Sequence, residues 1–322
     1  MEEVSALSIL NPLTNLFIPF MKTNLLIKSG AITLAVMLAV TIVISCKKNT
    51  NNTELPTETG AVLTKEEQVS IAKAGFSPTG AFKADGGYIV EGDIFLKPSD
   101  LAIQAGLIKE LASGKPRTEQ YKTTFQVTGL PRVLKIKVNA GAAQKVFTDA
   151  TTEAIKRYND LGLKLSLTLL DSASATTEDI LIKGETFSDP RVLGQSAGFP
   201  DANGNPATPI KLSNTHYNKD FADNNLLATV VAHEIGHAIG FRHTDYADRT
   251  YSCGLTPWEA FLRQLGISVG NEGDGGVGAI HIPGTPVAGE PGSWMLACSD
   301  GTNRPFTASD IVAIKALYPK TN

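Results

Sequence analysis

The spacing of apolar residues along the chain predicts a succession of short strands and helices. Apolar residues and lysines alternate through most of 132–139, which predicts a strand with one buried face. Apolar residues recur every three or four positions in 142–162, which predicts a helix that ends at Gly162. The same criteria predict further strands at 87–96, 120–127, 163–170, 179–185, 194–199 and 209–213, and further helices at 64–75, 101–114, 223–240, 256–266 and 306–319.

The order of these elements indicates an α+β fold. Strands and one long helix come first, a helix with two histidines follows, and a loop-rich region ends in a last helix. We expect a twisted mixed sheet with two helices above a cleft, then a smaller irregular C-terminal subdomain with a closing helix. The predicted domain is 119–322, divided into an upper subdomain, 119–240, and a lower subdomain, 241–322.

The amino-terminal part of the chain has the pattern of an export signal. Residues 31–44 are apolar and uncharged, follow Lys22 and Lys28, and are too few for a membrane span, which needs ~20 residues. The stretch before Met21 carries Glu2 and Glu3, which a signal peptide does not favour. We therefore expect translation to start at Met21, with 1–20 not translated and 21–45 as the signal peptide.

The predicted signal ends in VISC (43–46), which resembles the lipobox of bacterial lipoproteins. This resemblance implies that Cys46 is lipidated and anchors an exported protein in the bacterial cell envelope, facing the periplasm or the surface. The alternative is an apolar anchor with a cysteine there by chance. Residues 46–63 are polar without apolar periodicity, which is typical of a solvated tether.

The remaining composition restricts the partners. A chain that is 42% hydrophobic and 19% charged has an ordinary globular composition, and a net charge of −3 with no basic run gives no sign of a nucleic-acid partner. Cys253 and Cys298 are the two other cysteines. In an exported chain such a pair usually forms a disulfide, and the alternative is two buried thiols. No sequence feature indicates the oligomeric state.

The segment VVAHEIGHAIGFRHTD (230–245) holds three of the five histidines. His233 and His237 are four residues apart, so on a helix they share a face and can reach one ion. Gly240 can turn the chain and bring His243 to the same ion. Three imidazole ligands leave one position of a tetrahedral zinc site for water, as in catalytic sites. Glu234 is not needed as a ligand and can act as general base.

Several motifs resemble those of metzincin zinc endopeptidases. HEIGHAIGFRH (233–243) is similar to their extended zinc motif, GSWM (292–295) to their methionine turn, with Met295 beneath the metal, and 306–319 to their closing helix. Within that clan, 233–245, HIPGTP (281–286) and VEGDI (90–94) together resemble the bacterial dual-action HEIGH metallopeptidases. The resemblance implies a metzincin-like catalytic domain with one catalytic zinc ion, which hydrolyses peptide bonds in proteins or peptides.

The chain also departs from that pattern, and other interpretations exist. Ala297 stands where several metzincins have a tyrosine that helps to bind the transition state. Glu259 could replace His243 as third ligand, as in thermolysin-like enzymes. DANGN (201–205) has oxygens suited to calcium, but its glycine is displaced from the calcium-loop pattern, so a turn is favoured. The alternative function is an inactive surface binding module that keeps zinc for structure.

VEGDI (90–94) further resembles the Phe-x-Gly-Asp motif of astacin prosegments, with Val90 in place of the phenylalanine. This resemblance implies that 64–118 is a prosegment whose Asp93 occupies the zinc in place of water, until cleavage near Lys115 or Arg117 releases the site. The alternative is a surface turn between two strand halves. In metzincins the substrate pairs antiparallel with an upper edge strand, which we expect at 194–199.

Overall fold

A computed structural model gives the fold and describes residues 62–74, 76–84, 86–102, 120–187, 192–246, 248–255, 257–265, 279–285 and 290–321. The strands are β1 Phe82–Ala84, β2 Gly87–Val90, β3 Ile94–Leu96, β4 Tyr121–Lys122, β5 Arg132–Asn139, β6 Leu165–Leu169, β7 Ile180–Glu185, β8 Gly194–Gln195, β9 Ile210–Ser213 and β10 Ile280–His281. The helices are α1 Lys65–Lys73, α2 Gln144–Asn159, α3 Asn224–Ile239, α4 Thr250–Cys253, α5 Pro257–Gln264 and α6 Ala308–Leu317. A helical turn also covers residues 98–102, at the start of the predicted helix 101–114.

The central sheet has five strands in the order β6-β5-β7-β9-β8. Its first four strands are parallel, and β8 runs antiparallel to β9 at one edge. The predicted alternation in β5 is confirmed, because Leu134, Ile136 and Val138 are buried while Val133 and Lys135 are exposed. The α+β expectation, with a mixed sheet, is confirmed as well.

Two helices pack together against this sheet. Helix α2 buries Phe147, Ala150 and Ala154, and the hydroxyl of its Tyr158 donates to the carbonyl of Ala232 in α3 at 2.8 Å. Helix α3 is buried from Leu227 to its end, so the helix with two histidines is a core element. This burial holds its polar side chains in a rigid frame, because packed cores permit little rearrangement.

Helix α3 begins and ends as its sequence predicts. The side chain of Asp223 accepts from the backbone N–H of Leu226 at 3.0 Å, which satisfies one of the free donors of the first turn. Gly240 ends the helix with φ of 114°, in the left-handed region that a side chain would disfavour. The chain therefore turns sharply and carries Phe241 to His243 back beneath α3.

The lower part of the domain has little regular structure. Helix α6 begins with a capping box, with Thr307 as N-cap and Asp310 at the third position. A disulfide joins Cys253, the last residue of α4, to Cys298. The predicted strand 120–127 is reduced to β4, because from Thr123 the backbone bonds to Gly240 instead of to a neighbouring strand.

The described residues of 62–102, called the N-terminal layer below, lie over the edge of the sheet. Strands β1, β2 and β3 make an antiparallel meander with α1 beside it, and their apolar residues form a second core against which Phe199 packs. The backbone of Phe95 donates to the carbonyl of Ser196, and the N–H of Ser196 donates to the carbonyl of Asp93, both at 3.0 Å. The N-terminal layer thus occupies the edge of the central sheet.

Other sequence expectations fall outside this description. Residues 21–45, Cys46, Lys115 and Arg117 lie outside the described residues, as does most of the tether 46–63. Within the part of the chain that the structure does describe, no helix has the length and apolar character required to cross a membrane.

Candidate metal centre

Three histidines and one aspartate converge at the carboxyl-terminal half of α3. His233 and His237 project from the helix, His243 reaches the same point after the Gly240 turn, and Asp93 comes from the N-terminal layer. One ligand atom from each residue lies within 4.8 Å of all the others. Among the described residues, these four side chains form the group that is placed to hold a metal ion. The two sequence hypotheses, the histidine site and Asp93, therefore meet at one point.

The separations between these atoms fit a tetrahedral zinc site. Nε2 of His237 is 3.1 Å from Nε2 of His233 and 3.2 Å from Nε2 of His243. Oδ2 of Asp93 is 3.3 Å from Nε2 of His233 and of His243, and 3.8 Å from Nε2 of His237. Four ligands at 2.0–2.1 Å from a tetrahedral centre lie about 3.3 Å apart, so a zinc ion fits between them.

The imidazoles are also oriented for metal binding. Nδ1 of His233 lies 2.8 Å from the carbonyl of Trp294, and Nδ1 of His237 lies 2.8 Å from the carbonyl of Phe241. A carbonyl can only accept, so each Nδ1 carries the hydrogen and each Nε2 keeps a lone pair toward the centre. Burial lowers the pKa of His237 to about 4, which favours the neutral form that a ligand needs.

The surroundings of Asp93 favour its carboxylate form. Burial acts to raise its pKa, but the electrostatic attraction of His243 and the close approach of the other two imidazoles outweigh burial and hold the pKa well below its usual range. The carboxylate therefore supplies negative charge at the fourth vertex of the site. Its other oxygen, Oδ1, has no hydrogen-bond partner among the described residues.

Glu234 is buried beside the cluster and outside its ligand set. A Cβ on Gly194 would lie 2.6 Å from Oε1 of Glu234, so the glycine lets edge strand β8 approach the carboxylate closely. Burial raises the pKa of Glu234 well above its usual range, and the charge of Asp93 raises it further. The charge of His243 and the backbone N–H of Ser196 act in the opposite direction. A carboxyl group with a raised pKa is suited to exchanging protons near neutral pH.

Met295, which the sequence assigns to a methionine turn, packs against α3 at Gly236. It is fully buried, and a Cβ on Gly236 would lie 2.5 Å from its sulfur. The carbonyl of Met295 accepts from the backbone N–H of Thr244 at 2.8 Å, directly after His243. At Ala297, where a tyrosine would stand in several metzincins, the backbone N–H donates to Asp245 at 2.9 Å.

Asp310 has a role that the sequence does not reveal. Besides capping α6, its carboxylate accepts from the Ser293 hydroxyl at 2.7 Å and from the backbone N–H of Trp294 at 3.2 Å. Gln120 donates to the same carboxylate at 2.6 Å. The closing helix therefore holds the methionine turn in place. The capping box is a local signal for Asp310, but nothing in the sequence indicates these partners.

A second feature without a sequence signal is the ion pair between Glu91 and Arg242, both of which are buried. The guanidinium of Arg242 lies between the rings of Phe76 and Tyr246, 4.5 Å from each centroid. Glu91 adopts φ of 56°, which is unusual for a residue with a side chain. This pair connects the N-terminal layer to the segment that carries His243.

Two alternatives from the sequence concern the 201–205 segment and Glu259. The 201–205 segment is closed by its own side chain, since Asp201 accepts from the backbone N–H groups of Asn203 and Asn205 at 2.9 and 2.8 Å. It is therefore a turn. The side chain of Glu259 lies outside the described residues, and His243 fills the position for which Glu259 was the rival.

Three imidazole nitrogens around a zinc-sized space, with a buried glutamate beside them, are typical of the zinc metalloendopeptidase class. A family model described as dual-action HEIGH metallo-peptidase matches residues 98–318. That match covers more than half of the chain, and the chain belongs to this family. The match begins after Asp93, so the carboxylate at the fourth vertex lies outside it.

Among solved structures, one of myroilysin is similar with 12% identity over 63% of this chain and 100% of that chain, at a TM-score of 0.40. A crystal structure of myroilysin has 14% identity over 65% of this chain and 93% of that chain, at 0.37. High choriolytic enzyme 1, a hatching enzyme zinc-protease from the medaka fish Oryzias latipes, has 14% identity over 61% and 94%, at 0.37. A search of curated protein sequences gives no match.

Proposed function

We propose that this protein is an exported, lipid-anchored zinc endopeptidase that is made as a latent precursor. His233, His237 and His243 would hold the zinc ion, and Glu234 would be the general base. The observation that carries this proposal is the tetrahedral spacing of three Nε2 atoms and Oδ2 of Asp93, with Glu234 buried beside them.

When zinc is bound, it polarises the scissile carbonyl and lowers the pKa of water toward ~7. Glu234 takes a proton from the attacking water and later passes it to the leaving amine. Burial, the largest cause of the raised pKa of Glu234, suits both transfers, because a buried carboxyl group can hold a proton between them. Its position against Gly194 keeps it fixed for this exchange.

The edge strand is where we expect the substrate to bind. Asp93 and Phe95 of the N-terminal layer already bond to both backbone groups of Ser196. An extended peptide running antiparallel to β8 would use the same donor and acceptor, and main-chain hydrogen bonds of this kind supply affinity without sequence preference. The N-terminal layer and a substrate are therefore expected to compete for one edge.

Latency would follow from the same contacts. Asp93 Oδ2 occupies the vertex that an attacking water needs, and the residues around Asp93 cover the edge strand. We propose that 64–118 is a prosegment and that cleavage near Lys115 or Arg117 allows it to leave. The proposal of export rests on the signal pattern in 21–45, and the proposal of a lipid anchor rests on Cys46. Both are argued from the sequence only.

The test is cleavage of casein by the purified zinc-loaded chain, before and after limited treatment with trypsin. We expect cleavage that increases after trypsin, stops with a chelator and returns with zinc. Glu234→Gln should keep one zinc per chain and lose cleavage, with Glu178→Gln as the control at a carboxylate outside the site. Zinc retention without cleavage in the wild-type chain in either state would favour the binding-module alternative.

A further inference from the structure

The described residues from Gln120 onward, called the peptidase domain below, have a surface that fits the N-terminal layer closely. The ring of Phe76 in the layer stacks on the ring of Phe199, with centroids 5.7 Å apart and an interplanar angle of 14°. The guanidinium of Arg242 lies 4.5 Å from the centroid of the same Phe76 ring. Phe76 is 1% exposed, so contact with the peptidase domain and with the layer's apolar cluster removes it from water.

Backbone groups of the layer and the peptidase domain also come close together. Gly198 has φ of 99°, and a Cβ there would lie 2.7 Å from the carbonyl oxygen of Phe95. The nearby Ser196 makes two backbone hydrogen bonds, one with Asp93 and one with Phe95. A side chain at position 198 would therefore push the layer away, and the glycine permits the close approach.

These contacts do not depend on the stretch of chain that connects the two parts. The described residues of the layer end at 102, and the peptidase domain begins at Gln120, with 103–119 between them. The stacked rings, the buried ion pair and the strand pairing all join residues outside 103–119. A cut near Lys115 or Arg117 therefore breaks one covalent connection and none of these contacts.

The layer has internal contacts that hold its binding face in shape. Its apolar cluster includes Ile71, Val90 and Ile94, all of which are fully buried. Strands β2 and β3 pair antiparallel, and the turn between them carries Glu91 and Asp93. The two strands therefore present both carboxylates together, and a cut outside the layer leaves this arrangement intact.

The order of segments along the chain places the proposed lipid anchor on the same fragment as the layer. Cys46 and the tether 46–63 precede the layer, and the proposed cuts follow the layer. After a cut, the fragment with Cys46 also contains Asp93, and the fragment with the three histidines has lost its covalent link to Cys46. The contacts between the layer and the peptidase domain are then what holds the peptidase domain at the membrane.

We propose that the surface around Ser196, Phe199 and Arg242 keeps the cut N-terminal fragment bound as a membrane-anchored inhibitor. Dissociation of this fragment opens the metal centre and frees the peptidase domain from the membrane in one step, so the active form is the released form. This inference rests on the proposed function, namely on the lipid anchor at Cys46 and on latency through Asp93.

The physical basis of this coupling is effective concentration. In the uncut chain a short covalent connection presents the layer to the peptidase domain at an effective concentration on the order of millimolar. A cut replaces this value with the actual concentration of the two fragments, which is high at a membrane surface and low in dilute solution. Latency therefore persists after the cut wherever the fragments stay concentrated.

The first test is dilution of a chain that is cut at one place. A recognition sequence for a site-specific protease is inserted between Gly114 and Lys115, so that the layer itself stays whole. The zinc-loaded chain is cut completely and diluted from about 10 μM to about 10 nM, and we expect the peptidase activity per molecule to rise at least about tenfold. The uncut chain should show no such dependence. High activity of the cut chain at every concentration would overturn the proposal.

A measurement of association separates this inference from the proposed function. In cut Glu234→Gln, which lacks the proposed base, analytical ultracentrifugation reports whether the fragments stay together, whatever the activity. We expect a complex at about 10 μM that dissociates on dilution. A complex would support the inference even if the wild-type chain cut nothing. Fragments that separate at every concentration would overturn it even if the chain were an active peptidase.

Variants of the layer test the binding surface in the same assay. Adding Glu91→Gln should raise the dissociation constant of the fragments at least about tenfold, because it leaves one charge of a buried pair without its partner. Val69→Ala, at a half-exposed position on α1, is the matched control and should leave the constant unchanged. Equal constants for Glu91→Gln and the control would overturn the assignment of this surface.

The last test follows activity and release at the membrane together. Membranes from a bacterium that processes lipoproteins are cut at the inserted sequence and sedimented. We expect the sedimented peptidase domain to be inactive against casein, and the peptidase domain that enters the supernatant on washing to be active. Cys46→Ser should move both fragments to the supernatant and keep the dilution dependence, which distinguishes failure of the anchor from failure of the inhibitor. Full activity of the sedimented peptidase domain would overturn the coupling.

Discussion

The carboxylate of Glu91 pairs with the guanidinium of Arg242. Arg242 directly precedes His243 in the chain, and Glu91 stands two residues before Asp93. Both side chains are buried, and breaking such a pair by removing one charge costs ~3–5 kcal/mol. The pair therefore holds the N-terminal layer at the point where Asp93 enters the metal centre. This relationship makes the proposed latency depend on more than the aspartate.

We predict that Glu91→Gln weakens latency without removing it. The uncut variant should cleave casein faster than the uncut wild type and slower than uncut Asp93→Ala, because the aspartate remains but its support is lost. Hydrogen exchange in residues 86–96 should rise at the same time. Glu67→Gln changes an ion pair with Lys83 elsewhere in the N-terminal layer and serves as the control. If uncut Glu91→Gln cleaved casein as slowly as the uncut wild type, the ion pair would not contribute to latency.

Asp93→Ala should give an active precursor. Without the carboxylate the fourth vertex is open. We expect the peptidase activity of the uncut chain to rise on the order of 10–100-fold, because the state with a free fourth vertex becomes more populated. Activity of the uncut variant against a quenched peptide is the measurement, with Asp100→Ala as a control in the same layer. A precursor no more active than wild type would refute the aspartate lock.

His243→Ala should lose tight zinc binding, because two imidazoles remain where three converged. Metal analysis after dialysis against a weak chelator measures the loss. His216→Ala, at a histidine outside the cluster, should retain one zinc ion per chain. If His243→Ala retained its full zinc content, a residue other than His243 would be the third ligand. The sequence offers Glu259 as that alternative.

Asp310→Asn should destabilise the fold through the methionine turn. The amide keeps the shape of the carboxylate but weakens four hydrogen bonds, from Ser293, Trp294, Gln120 and Thr307. We expect the free energy of unfolding to fall by roughly 2–4 kcal/mol, measured in urea. Asp149→Asn breaks an exposed pair with Lys145 and should change the same free energy by less than ~1 kcal/mol. A similar small effect of Asp310→Asn would show that Asp310 does not support the turn.

Cys46→Ser should release the protein from membranes when it is expressed in a bacterium with lipoprotein processing. We expect the wild type in the membrane fraction and the variant in a soluble fraction, because a lipid chain supplies the anchor. Glu234→Gln, which keeps Cys46, controls for effects of activity on distribution. An unchanged membrane fraction for Cys46→Ser would remove the lipid-anchor proposal.

Local features of the sequence determined much of this protein. The i, i+4 spacing of His233 and His237, the Gly240 turn and the capping box at Thr307 depend on residues within a few positions of one another. Such patterns are physical consequences of helix geometry, so the amino-acid sequence is sufficient to predict them. The alternation in β5 likewise reports one buried face, and the central helices follow from apolar periodicity.

Only the tertiary structure decided what lies around the metal centre. It brought Asp93 to within 3.3 Å of His233, across 140 positions of sequence, and paired Glu91 with Arg242 across 151. It also gave the helix cap Asp310 a second role in holding the methionine turn. Contacts of this kind depend on how whole layers pack, and no local periodicity encodes them. The histidine motif thus specified a metal site, whereas packing between distant segments determined which carboxylate faces its fourth vertex.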